Sequence, residues 1–179
     1  METKEKSHSN YIKFFAMIGT SMIAMFFLMY TNSYQIIDHF WFSETRTYMT
    51  LIMGGAMMII MLLLMLKMYK NKTMNTIILI GGALVIAVSI WLVRSQATVD
   101  DVDYMEGMIP HHSIAILTST EAMIKDMRVR QLADEIIEAQ RREIKEMEWL
   151  IRDINENGLA KTNEAATTRS VPEFKGTPE

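Results

Sequence analysis

Thr76-Ile-Ile-Leu-Ile-Gly-Gly-Ala-Leu-Val-Ile-Ala-Val-Ser-Ile-Trp-Leu-Val93 runs directly into Arg94-Ser-Gln-Ala-Thr-Val-Asp-Asp-Val-Asp103. The first stretch carries no charge and approaches the roughly 20 helical residues that cross a bilayer. The second is acidic and belongs in water. The chain therefore changes solvent near residue 97.

Upstream of that boundary two further apolar runs, Phe14 to Tyr30 and Tyr48 to Leu66, are long enough to span. Half of the 179 residues are hydrophobic and 22% are charged, and the two populations are separated along the chain rather than mixed. The sequence thus predicts an all-α protein in four parts: an N-terminus over 1–13, three transmembrane helices over 14–97, a helical domain over 98–158, and a tail over 159–179. Lys4, Lys6 and Lys13 precede the first run, but no small-residue cleavage site follows it, so it reads as an uncleaved anchor.

Lysine placement orients the spans. Lys67, Lys70 and Lys72 join the second and third runs, on the same side as the N-terminal lysines, whereas Thr31 to Thr47 carries only Arg46. The positive-inside bias puts the N-terminus in the cytoplasm and the helical domain outside, as in a multi-pass protein of a bacterial cytoplasmic membrane. Residues 98–158 hold fourteen Asp/Glu against seven Lys/Arg, which argues against nucleic acid as a partner. The absence of cysteine is compatible with an oxidising compartment.

The spans are rich in methionine, which makes up 18 of the 179 residues. Met49, Met53, Met57, Met61 and Met65 recur every fourth residue, a stripe that drifts by about 40° per step on an ideal helix. Flexible thioethers pack well against neighbouring helices, and no Asp, Glu, Lys or Arg interrupts the three cores, so a transporter is disfavoured. Gly54-Gly55 and Gly81-Gly82 are expected where the second and third helices cross closely. The aromatics of Asp38-His39-Phe40-Trp41-Phe42 suit a headgroup level; His39 is a minor metal-ligand candidate.

The soluble part reads as a hairpin. Thr98 and Asp101 form a capping signal, and helical spacing runs from Val102 through Ile124. Pro110 is expected to interrupt it with a bend just before His111. After a turn near Lys125 to Met127, Val129, Leu132, Ile136, Gln140, Ile144, Met147 and Ile151 mark a second helix, with Gly158 as its stop. The tail after Leu159 is rich in Thr, Ala, Glu and Pro and reads as disordered. Two helices of this length bury little core alone, so a homodimer closing a four-helix bundle is expected.

Chemistry concentrates in Tyr104-Met-Glu-Gly-Met-Ile-Pro-His-His-Ser113. On an ideal helix Met105, Met108 and His112 fall within an arc of roughly 60°, while His111 lies further round. Thioether and imidazole form a soft, neutral donor set that suits Cu(I) better than Mg²⁺ or Ca²⁺. A di-iron bundle would need Glu-x-x-His pairs and a zinc protease His-Glu-x-x-His; neither occurs. Gln140 and Glu143 share a face with Met147 and could orient a histidine, or simply fix helix register.

Tyr104 to Ala115, followed by Asp126, Val129, Leu132-Ala133, Ile136, Gln140, Glu143-Ile144, Met147 and Trp149-Leu150, resembles the domain-of-unknown-function family DUF305. The resemblance covers roughly 98–155 and implies a ferritin-like helical fold. It also implies extracytoplasmic copper binding, with Met105, Met108, His111, His112 and Met147 as ligand candidates. Thr118 stands where many members have methionine. The sequence expectation is a membrane-anchored Cu(I)-binding protein for copper handling or tolerance, with copper, lipid and a second copy as partners and no catalytic step. A structural or partner-binding bundle, accessory to a membrane complex, is the alternative.

Overall fold

The computed structural model describes residues 2–177, with side chains from Ser9 onward, and every regular element among them is helical. In chain order these are α1 (Glu2–Leu28), α2 (Glu44–Leu64), α3 (Lys72–Ser95), α4 (Asp101–Glu121), α5 (Met127–Asn157) and α6 (Asn163–Thr168). They form two compact units. One comprises the chain up to Met29 with Glu44–Thr98; the other comprises Tyr30–Ser43 with the chain from Val99 onward.

In the first unit Ser9–Leu28, Glu44–Leu64 and Lys72–Ser95 are long and apolar enough to cross a membrane. No more than 22% of any of these spans is buried against its neighbours, so most of their apolar surface remains outside the packed core. The helices start four or more residues before the apolar runs because polar flanks continue the hydrogen-bonding pattern. At α3 the side chain of Asn71 accepts from the Met74 amide. Gln96, in the left-handed region at φ 51°, closes that helix by donating its amide to Leu92.

Glycine positions set how closely these helices meet. A Cβ on Gly55 would lie 3.1 Å from the Gly82 carbonyl and 2.8 Å from Ile86, and one on Gly82 would crowd Ile59 at 2.9 Å. The expected α2–α3 crossing therefore rests on Gly55 and Gly82. Gly54 instead accommodates Met22 of α1, and Gly81 faces open space. Met57, Met58, Met61 and Met65 pack on the buried cluster of Tyr11, Phe14, Ile18, Leu62, Tyr69 and Ile78. The Tyr11 hydroxyl donates to Asn75 Oδ1 at 2.7 Å, and Asn75 Nδ2 donates to the Tyr69 carbonyl at 2.7 Å. These bonds satisfy the polar atoms among apolar side chains.

The second unit is built on α4 and α5. Its first cap falls on Asp100 rather than Thr98: Asp100 Oδ1 accepts from the Val102 and Asp103 amides at 2.9 and 3.0 Å, and Asp103 returns a bond to the Asp100 amide. A carboxylate complements the positive end of the helix as well as filling the cap, which is why the signal shifts two residues from the one expected. The helix also continues through Pro110 without interruption. Pro110 cannot donate to the Glu106 carbonyl, but its ring is fully buried, and packing offsets the lost bond. α5 begins on an Asp126 cap and ends at Gly158, φ 74°, as the sequence indicates.

Met105, Ile109 and Ile116 of α4 interlock with Ile144, Met147 and Ile151 of α5. Trp41 packs onto the same cluster, so the segment between the first two spans contributes core to the hairpin. The end of the chain contributes too. Where composition reads as disorder, α6 forms, Arg169 pairs with Asp153 at 2.9 Å and donates to the Gly158 carbonyl. Gly176 is buried against the Glu138 backbone so tightly that a side chain there would collide with it.

Candidate metal centre

Heptad-like spacing on α4 and α5 turns three thioethers inward. Met105 and Met147 are 6% and 9% exposed and belong to one packed cluster, with Met108 against its edge. The sulfur donors named from sequence are thus gathered on the α4–α5 interface. Among the described residues no three His, Cys, Asp or Glu side chains gather as a metal-binding group; thioether is the donor type that favours Cu(I). To that extent the residues present fit a soft monovalent ion.

His112 lies one helical turn beyond Met108 and is 9% exposed. Its Nδ1 is 2.9 Å from the Met108 carbonyl, and its Nε2 is 2.9 Å from Glu143 Oε2. The Met108 carbonyl can only accept, so the Nδ1 contact is a bond that the ring donates. A metal at Nε2 would have to displace Glu143, leaving the Nδ1–H bond to Met108 to orient the ring. The histidine contact anticipated for Gln140 or Glu143 falls to Glu143. His111 is exposed, its ring centroid 6.1 Å from that of His112, and it is not brought into the thioether cluster. Thr118 is also exposed and turns its hydroxyl back to the Ile114 carbonyl at 3.0 Å.

Ser113, the last residue of the motif, has a structural part that spacing did not reveal. Its hydroxyl is wholly buried, accepts from the Tyr34 amide at 2.8 Å and lies 2.7 Å from His39 Nδ1. Successive residues therefore face different partners: His112 meets α5, and Ser113 fastens the Tyr30–Ser43 segment. Burial holds His39 below the ordinary histidine range, opposed by the nearby Asp38 charge. Its ring is committed to that contact, not to the thioethers. A small hydroxyl at a fully apolar helical position was the available signal. Gly107 serves the same junction, since a Cβ there would lie 3.3 Å from Ser43 Oγ.

The family model for the domain of unknown function DUF305 matches residues 101–177. Uncharacterized protein L153 of Acanthamoeba polyphaga mimivirus is 39% identical over 106 residues, which cover 58% of this chain and 68% of that protein. The chain belongs to the DUF305 family. The DUF305 match passes Gly158 and takes in α6 and the segment returning along α5. No solved structure matches the chain.

Proposed function

We propose that this DUF305 protein is a membrane-anchored Cu(I)-binding protein that contributes to copper handling or tolerance. The observation carrying the reading is the convergence of Met105, Met108 and Met147 from two facing helices onto one packed cluster, with His112 a turn away. In this reading the three spans sit in a bacterial-type cytoplasmic membrane with the N-terminus inside. The domain lies outside, a homodimer completes a ferritin-like four-helix bundle, and the protein binds its ion without catalysing a reaction. Copper bound to thioethers and imidazole would be held as a neutral-ligand Cu(I) centre.

The test is a competition titration of the full chain in detergent against a chromogenic Cu(I) chelator, beside a Met105→Leu, Met108→Leu, His112→Ala variant. The proposal expects saturable binding that the variant loses while far-ultraviolet circular dichroism stays helical. Equal retention of copper by both proteins would contradict it.

The burial of Met105 and Met147, and the engagement of both His112 nitrogens, equally support a packing role. On that second reading the domain is a partner-binding bundle, and the same variant loses stability with no change in copper retention.

A further inference from the structure

A cleft of about 650 Å³ opens in the second unit between the Tyr30–Ser43 segment, the outer face of α5 and residues 173–177. Met105, Met108, His111, His112 and Met147 do not line it, whereas His39 does. Its volume falls in the range of small-molecule sites. Ile116 and Ile144, members of the packed core, form an apolar floor, and Tyr34 and Phe174 supply aromatic walls.

Charge decides what such a cleft would take. Arg141, Lys145, Glu148 and Arg152 follow one another along α5 at steps of four, three and four, which places them in one row. The Arg141 guanidinium lies over the Tyr34 ring at 5.6 Å from its centroid. Stacking of this kind holds the planar fork in place while leaving its N–H edge available. Among the described residues neither Arg141 nor Arg152 has a carboxylate within ion-pair distance. Among the described residues the lining carries four Lys/Arg and three carboxylates, Asp38, Glu148 and Glu173. Burial raises the Glu148 carboxyl above the ordinary range, against the pull of Arg152. The result is a concave, partly apolar surface on which, among the described residues, Arg141 and Arg152 have no carboxylate within ion-pair distance.

We propose that this cleft binds a small organic anion, a carboxylate or phosphate monoester on a compact apolar or aromatic body. Arg141 and Arg152 are its charge partners; Tyr34, Phe174 and Ile144 contact its body. A planar carboxylate meets the Arg141 fork through two parallel N–H bonds, and a phosphate uses the same donors. The return of residues 173–177 along α5 builds one wall, so the site requires the chain beyond α6.

The test uses ¹⁹F line broadening with the full chain in detergent micelles, titrated separately with 4-fluorobenzoate, 4-fluorophenyl phosphate and, as a control for micelle partitioning, 4-fluorophenyl trimethylammonium. The proposal expects saturable broadening of at least one anion and none of the cation. An R141Q/R152Q variant with unchanged helicity should bind that anion at least tenfold more weakly, R141K severalfold more weakly, and E173Q more tightly. The two anions distinguish a carboxylate ligand from a phosphate one. Absence of saturable anion binding, equal binding of the cation, or undiminished binding by R141Q/R152Q would overturn the proposal. If R141Q/R152Q loses helicity, the R141K and E173Q shifts decide in the same sense.

Discussion

A single hydroxyl, that of Ser113, joins residues 74 and 79 positions distant in sequence, His39 and Tyr34. Removing a buried bonding partner leaves the others unsatisfied, at a cost of about 1–3 kcal/mol. Ser113→Ala should therefore lower unfolding stability by that order, measured by denaturant titration of the full chain, and an unchanged midpoint would deny the junction its role. Protonation acts on the same contact. Because burial depresses the His39 value, the folded state favours the neutral ring. That contribution is complete above the unfolded value of about 6.5 and fades as pH falls through the folded value. Protection of the Tyr34 amide from hydrogen exchange, corrected for intrinsic rates, should accordingly decline as pH falls below the ordinary histidine range. At Glu143 the expectation concerns metal. If copper displaces it from His112 Nε2, Glu143→Ala should tighten Cu(I) binding by roughly three- to tenfold, read in the chelator competition.

At the scale of helices, two glycines carry close approaches that can be broken individually. Gly55→Val places atoms against Ile86 and the Gly82 carbonyl. Overpacking of this kind costs about 1–3 kcal/mol and should appear as a lowered thermal midpoint in detergent; Gly81→Val, with open space around it, should change little. Gly176→Val should push the end of the chain off α5, which limited proteolysis would register as faster cleavage after α6 with α4 and α5 intact. These elements differed in how far they could be read from sequence. Apolar length revealed three helices long enough to cross a membrane, and recurrence at three and four revealed α5, because both signals are local and repeated. The α4 cap falls on Asp100 rather than Thr98 because both have suitable oxygens and only the backbone geometry chooses. Pro110 was expected to interrupt α4, yet one missing hydrogen bond does not outweigh a fully buried ring.

The whole molecule divides at a place local patterns do not mark. Tyr30–Ser43 lies between two spans in sequence but packs with the α4–α5 hairpin, through Trp41 on the core and His39 and Tyr34 on Ser113. Likewise the tail looks disordered by composition, and what orders it is the Arg169–Asp153 pair and the seat of Gly176, both contacts with α5. These segments supply part of the core that two helices alone lack, so excising residues 98–158 would remove structural parts of the domain. Of the candidate centre, the inward stripe of Met105, Met108 and Met147 was legible from periodicity, as was the separation of His111 from it. The competition of Glu143 with a metal for His112 was not, since it depends on the relative rotation of two helices.

The proposed copper site stands or falls on coordination by the thioethers of this interface. X-ray absorption at the copper edge of the Cu(I)-loaded full chain, repeated on Met105→Leu, Met108→Leu, Met147→Leu, tests it most directly. The expected result is a first shell dominated by sulfur with a nitrogen contribution, and loss of the sulfur shell in the variant. A shell of nitrogen and oxygen only, or a sulfur shell that survives the three substitutions, would contradict it.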